Sequence, residues 1–405
     1  MHTLSSPAYY ALELTSRCNN RCPGCSNVYA DDREPRPLPA ARWEAILAHI
    51  GLEAVQFRLT GGEPTLHPEF LRILDAATSY DAWVTVFTNG RWSDRDNLVR
   101  SLRGKQRLSG LLISLHGATP ASHAAFSGVR DSFQETVANI KLAVAHDLPV
   151  ALSTIITRQN AHEIDAVVEL SQQLGVQHVA FNRYLGSPLP AVEPSHDQLR
   201  RAVAHIEALA QQGLPVKYGV CIPQCFTPNG SEGCLAGAAY VSIDPWGRIH
   251  PCTHSPTVAG SVLEHSVQEL WHGPTMNAWR QWMPQECSEC AALSVCHAGC
   301  RAMHELCTDQ RDPLRSDSLH TFARNIKRQV LPSNGKPVLR GRVRPESFGY
   351  VVLGHGQAVP VRPGAYELLA TCDGQTTLAA LSHRYGQPGI DLLGQLWEQG
   401  LLTIL

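Results

Sequence analysis

In the first 215 residues six short apolar runs alternate with stretches of helical periodicity, and this alternation constrains the fold more than any other feature. The runs lie at 9–14, 55–60, 83–88, 111–116, 150–156 and 178–182. Helical patterns follow at 40–50, 68–79, 133–146, 163–174 and 197–212, and Ser132 with Glu135 reads as a capping box for the third. Repeated strand–helix units predict a parallel sheet with right-handed crossovers. Six units are too few for a closed eight-stranded barrel, so the expectation is a partial (β/α)6 TIM barrel, with its site at the carboxyl ends of the strands.

The cysteines come next. The chain of 405 residues has 13 of them, three near the start, nine between positions 221 and 307, and Cys372 alone. A net charge of −2 with 17% charged residues gives no basic field for nucleic acid, and no apolar run is long enough for a membrane span. The first residues lack the charged-then-apolar pattern of a signal peptide. Without export, so many thiols point to metal in a reducing cytoplasm rather than to disulfides.

The first three, Cys18, Cys22 and Cys25, have the spacing C-x3-C-x2-C and directly follow the first strand. Three thiolates hold three irons of a four-iron cluster and leave the fourth iron open. A zinc knot with a distant fourth ligand is the alternative. This loop resembles that of the radical S-adenosylmethionine (SAM) superfamily. Membership implies that the open iron of a [4Fe-4S] cluster chelates SAM, and that Cys18, Cys22 and Cys25 are the catalytic ligands. It also implies cleavage of SAM to a 5′-deoxyadenosyl radical, with electrons from a flavodoxin or ferredoxin.

Further motifs sit at the expected strand ends. Strand two ends in Gly61-Gly62-Glu63-Pro64, which matches the family segment beside the SAM amino group. Glycines permit close backbone approach, and a carboxylate or carbonyl accepts from an ammonium. Asn89 after strand three, and Ser114 and His116 after strand four, resemble segments that line the SAM site. His116 stands where relatives often carry Asp; a neutral imidazole still hydrogen-bonds a ribose hydroxyl. Ser127 stands where relatives often carry Arg, with Arg130 as a substitute carboxylate clamp or a solvated loop residue. Ser153 and Asn182 are further cofactor-site candidates, or buried polar groups paired with backbone.

The second cysteine set reads C-x12-G-x4-C from Cys234 through Gly247 to Cys252, then C-x2-C-x5-C-x3-C from Cys287 to Cys300, and finally Cys307. This resembles the SPASM domain, which implies two auxiliary [4Fe-4S] clusters; a zinc-ribbon module is the alternative. The family pattern places Cys234, Cys252 and Cys300 on one cluster with an upstream cysteine, Cys225 in preference to Cys221. It places Cys287, Cys290, Cys296 and Cys307 on the other.

Residues 324–345 carry seven Lys or Arg, no Asp or Glu, and several Pro and Gly, and read as a basic linker. Two strand-like runs and three short helical patterns follow. This segment looks like a PqqD-like recognition element, a small winged helix that captures the leader of a ribosomally made precursor peptide as an added strand. The expected division is a barrel over 1–215, a SPASM domain over 216–325, a linker over 326–345 and the recognition domain over 346–405. The expected function is radical modification of a precursor peptide, forming a carbon–carbon or thioether crosslink. Peptide epimerisation, a radical dehydrogenase and a metal-stabilised peptide-binding protein without catalysis are the alternatives.

Overall fold

A computed structural model describes residues 2–28, 36–219, 222–227, 233–307, 311–315 and 331–405. Cys221 and the basic residues Arg324, Lys327 and Arg328 lie outside the described residues. The six expected strands form as β1 (Tyr9–Glu13), β2 (Gln56–Thr60), β3 (Trp83–Thr88), β4 (Leu108–Ser114), β5 (Val150–Ile155) and β6 (Val179–Asn182). Each pairs in parallel with the next. The sheet then exceeds expectation. A short β7 (Val216–Tyr218) adds in parallel to β6, and β8 (Tyr240–Ile243), from the cysteine-rich region, adds in parallel to β1 on the other side. Antiparallel β9 (Arg248–His250) and β10 (Gly260–Ser261) complete a ten-stranded sheet. The cysteine-rich region is therefore continuous with the barrel sheet. One core of Val, Ile, Leu and Phe from these strands packs against Trp43, Leu47 and Ile50 of the helix Ala40–Ile50, and against its counterparts.

The capping box is not formed. Ser132 is the first residue of the helix Ser132–Ala145, and its hydroxyl bonds the Val129 carbonyl (2.7 Å) and the Ser127 hydroxyl (2.6 Å). Glu135 instead pairs with Arg91 at 2.7 Å.

The expected basic linker is also corrected. Residues 337–346 are strands: β11 (Pro337–Leu339) and β12 (Arg342–Glu346). β12, β13 (Gly349–Gly354) and β14 (Gln357–Val361) form an antiparallel sheet, and β11 pairs with the terminal β15 (Leu402–Ile404). Between them lie the helix Tyr366–Ala370 and a helical stretch, Leu378–Glu398, broken at Gly386 (φ 67°, ψ −171°). Leu368, Leu381, Leu393 and Leu396 make a separate core there with Val352 and Val359.

This module closes the base of the barrel, at the amino ends of the strands. Val351 and Leu353 of β13 pack on Leu4, Ala8, Tyr9 and Val55. The Tyr9 hydroxyl accepts from Gly354 N–H (2.9 Å) and donates to the Gln357 carbonyl. The arginines read as linker charge are fasteners. Arg342 donates to the carbonyls of Ala54 (3.0 Å) and Asp81, and Arg344 to that of Ser6 (2.8 Å).

Candidate functional site

The opposite end of the barrel carries the three-cysteine loop, which runs from the end of β1. It is held in shape by the end of β2. Gly62 N–H donates to Thr15 O and Glu63 N–H to Arg17 O, both at 2.7 Å. A Cβ on Gly61, whose φ is +129°, would lie 2.5 Å from Thr15 O, and one on Gly62 would lie 2.3 Å from Arg17 O. The glycine pair is thus required by the backbone of the cysteine loop itself. Glu63 is fully buried and caps the short turn Pro64–Leu66. Its Oε1 accepts from Thr65 N–H (3.3 Å), the Thr65 hydroxyl (2.7 Å) and the Thr88 hydroxyl (2.7 Å); Oε2 accepts from Asn89 N–H (2.7 Å). Burial pushes this carboxyl up against the pull of its four donors. The side chain ties β2 to β3.

Asn89 faces the cysteine loop. Its amide donates to Asn19 Oδ1 at 2.6 Å and lies 3.7 Å from Cys18 Sγ, which also receives Asn20 N–H at 3.4 Å. Arg91 donates to Asn19 O (2.6 Å) and Asn20 Oδ1 (3.0 Å) while paired with Glu135. Arg91 escaped the sequence reading, although it follows the Thr88-Asn89-Gly90 strand end directly. On the far side, Arg21 N–H donates to Ser127 O (2.9 Å). The Ser127 side chain is buried, so this residue acts through its carbonyl; Arg130 is exposed on the neighbouring loop.

Ser114 ends β4 opposite Ser153 of β5, and Asn182 Nδ2 donates to the Ser153 hydroxyl at 3.0 Å. Both polar candidates therefore have a protein partner. His116 is buried; its Nδ1 accepts from Ile155 N–H (3.3 Å), and its own N–H donates to His123 Nδ1 (3.0 Å). Burial, reinforced by His123, lowers His116 to about 3. Burial, reinforced by Arg91, lowers His123 to about 4. Both rings are neutral at physiological pH, with the proton on Nε2.

The thiols suit iron. Cys18 and Cys22 are half-buried and Cys25 exposed on one loop, with N–H donors directed at Cys18 Sγ, as a thiolate ligand needs. In the cysteine-rich region burial raises the Cys252 thiol, helped by neighbouring Cys234 and Cys300. Burial likewise pushes Cys300 up to about 12, with Cys234 and Asp312 adding and Arg183 opposing. Burial pushes Cys287 up to about 11, opposed by Arg315 and helped by Cys296, Cys225 and Cys290. Such thiols stay protonated without a cation and ionise when they bind one. Among the described residues no three His, Cys, Asp or Glu converge on a point to hold a single ion. A cluster asks for a wider spread, because each thiolate takes a different iron.

A cysteine loop of this spacing, locked by a glycine pair at the mouth of an open α/β barrel, defines a radical SAM enzyme. Residues 12–171 match the family model of the radical SAM superfamily, and residues 234–291 match SPASM, an iron-sulfur cluster-binding domain. The cofactors are SAM, a SAM-binding [4Fe-4S] cluster and auxiliary iron-sulfur clusters. Among curated proteins the chain is similar to the PqqA peptide cyclase of Gluconobacter oxydans, 29% identical over 74% of this chain and 87% of that one. It is also similar to the PqqA peptide cyclase of Rhizobium meliloti, 26% identical over 73% and 82%. Among solved structures, Streptococcus suis SuiB bound to precursor peptide SuiA has the same fold, with TM-score 0.64, 20% identity and coverage of 77% and 76%. So has anSMEcpe with bound AdoMet, with TM-score 0.60, 15% identity and coverage of 75% and 92%. Among the described residues no helix is long and apolar enough to cross a membrane.

Proposed function

We propose that this chain is a maturase that closes a carbon–carbon or thioether crosslink in a ribosomally made precursor peptide. The observation that supports this reading most is the pairing of an open three-cysteine site with a separate small β-sheet module on one barrel. The relatives named PqqA peptide cyclase point the same way. Cys18, Cys22 and Cys25 would hold the SAM-binding cluster, which with SAM would supply radical hydrogen abstraction from the peptide. The chain's own part is positional. Gly61, Gly62 and Glu63 set the cysteine loop beside which the SAM ammonium would lie. Asn89 and Arg91 brace Cys18, and the neutral His116 offers Nε2–H to the ribose. Ser114, Ser153 and Asn182 line the wall beyond.

The module from β11 onward is the peptide recognition domain, of PqqD-like winged-helix type, and takes the leader as an added strand on the sheet β12–β13–β14. The barrel and SPASM parts divide near residue 215. A flavodoxin- or ferredoxin-class protein supplies electrons, and a cytoplasmic setting keeps the thiols reduced.

Co-expression with the short peptide encoded beside the gene, followed by mass spectrometry, tests the reading. Loss of two hydrogens is the expected result. Unchanged mass with deuterium taken up from heavy water would replace crosslinking by epimerisation. No change at all, in an enzyme that still releases 5′-deoxyadenosine, would overturn the peptide substrate.

A further inference from the structure

The family pattern groups the eight auxiliary cysteines in one way, and the fold groups them in another. Cys307 packs with the Cys252 set. Cys252, Cys300 and Cys307 share one buried cluster with Ala236, Trp279, Ala302 and Met303, and Cys234 packs against it. The reason is local. Cys300 and Cys307 are the two cap residues of a single short helix, Arg301–Leu306, which holds both thiols on one element. Seven residues of helix advance only about 10 Å. Cys296, also buried, is not in that cluster.

Cys225 moves the opposite way. The N–H of Gln224 donates to Cys296 Sγ at 3.5 Å, which fixes the 222–227 segment against the second set. Pro223 lies on Gly299, where a Cβ would come 3.3 Å from its ring. The Cys225 thiol is correspondingly a neighbour of both Cys287 and Cys296.

We infer that Cys225 and Cys307 have exchanged places relative to the SPASM pattern. One auxiliary cluster is held by Cys234, Cys252, Cys300 and Cys307, the other by Cys225, Cys287, Cys290 and Cys296. This rests on the reading of the region as a two-cluster domain. Each set supplies four thiolates, so neither cluster keeps an open iron, and Cys221 is not needed by either. The sets also touch: His297, next to Cys296, hydrogen-bonds the Cys234 carbonyl at 3.3 Å, a short covalent and hydrogen-bonded route between the two.

The test uses full-length protein carrying Cys18→Ala, Cys22→Ala and Cys25→Ala, reconstituted anaerobically, so that only auxiliary clusters contribute to its iron and its EPR spectrum. Cys252→Ser and Cys287→Ser, which keep an oxygen ligand, mark the two signals. Cys225→Ser should change the signal marked by Cys287→Ser and leave the other intact. Cys307→Ser should change the one marked by Cys252→Ser. Either variant overturns the exchange if it alters the opposite signal, both signals or neither. Either half alone decides if one variant fails to fold. Absence of auxiliary iron in the parent protein, by contrast, would overturn the two-cluster reading itself.

Discussion

Arg183 Nη1 lies 2.8 Å from Asp312 Oδ2, and both side chains are buried, one at the end of β6 and the other in the cysteine-rich region. The pair is the polar bolt between barrel and auxiliary domain. Burial alone would raise the Asp312 carboxyl, but the Arg183 guanidinium and the Leu314 N–H hold it below its ordinary value. Removing one partner leaves a buried charge alone, whereas removing both does not. Asp312→Asn should cost about 3–5 kcal/mol in anaerobic denaturant unfolding, and Arg183→Met with Asp312→Leu should recover most of it. Equal losses in the single and double variants would show that the pair is not coupled.

The glycine pair gives a sharper prediction. Gly62→Ala places a methyl 2.3 Å from Arg17 O, so the cysteine loop must move. The variant should lose the iron of the SAM-binding cluster and keep the auxiliary iron. Gly364→Ala, where a Cβ meets nothing within 4 Å, is the matched control and should keep both. Full iron in Gly62→Ala would show that the loop tolerates displacement.

The two neutral histidines set a pH dependence. His116 falls from 6.5 to about 3 and His123 to about 4, so the unfolded chain binds more protons than the native one between about pH 4 and 6.5. Stability is then complete above pH 6.5 and lost as pH falls, by up to about 1.4 kcal/mol per unit for each ring. His116→Gln should flatten this slope relative to the parent in urea unfolding at pH 5 against pH 7. An unchanged slope would place the titration elsewhere.

Much of this was legible in the sequence. Strands β1 to β6 follow from alternation alone, and the cysteine loop from its spacing. What escaped was long-range. β7 has three residues and β8 four, too few to show a period, and they join the sheet only because β6 and β1 offer free edges. The Gly61-Gly62-Glu63-Pro64 segment suggests a carboxylate or carbonyl beside an ammonium; that the Glu63 side chain also ties the β2 end to Thr88 and Asn89 depends on residues 25 positions away and more. The composition of 324–345 places Arg342 and Arg344 in a basic linker. Their partners are backbone carbonyls some three hundred positions away, which no local pattern discloses.

Those contacts bear on how the terminal module can be removed. Truncation at 346 uncovers Leu4, Ala8, Tyr9 and Val55 at the barrel base. Each apolar side chain returned to water costs about 1.5–3 kcal/mol when fully exposed. The truncated protein should therefore unfold at clearly lower temperature, and its loss of peptide modification would not isolate leader binding. Val351→Ala with Leu353→Ala, measured by thermal unfolding, should reproduce a part of the loss. A truncated protein as stable as the full chain would mean that the base packing contributes little.

The module sits at one end of the barrel and the cysteine loop at the other. The strands between them have up to seven residues, about 23 Å at ~3.3 Å each. A peptide held by its leader at the base needs at least about seven extended residues before the modified one. Deleting five residues from that spacer should abolish the crosslink while leaving leader affinity unchanged, as read by fluorescence anisotropy and mass spectrometry. Modification of the shortened peptide would place the leader elsewhere.

The thiols differ in one further respect. Among the described residues Cys25 is the one exposed thiol; Cys18, Cys22, Cys225, Cys234, Cys287 and Cys290 are half-buried, and Cys252, Cys296, Cys300 and Cys307 are buried. The most open thiol thus stands on the catalytic loop. Solvent, iron and oxidants therefore reach the Cys25 corner of that loop with no opening of the fold, whereas Cys252, Cys296, Cys300 and Cys307 are reached only when the packing around them parts.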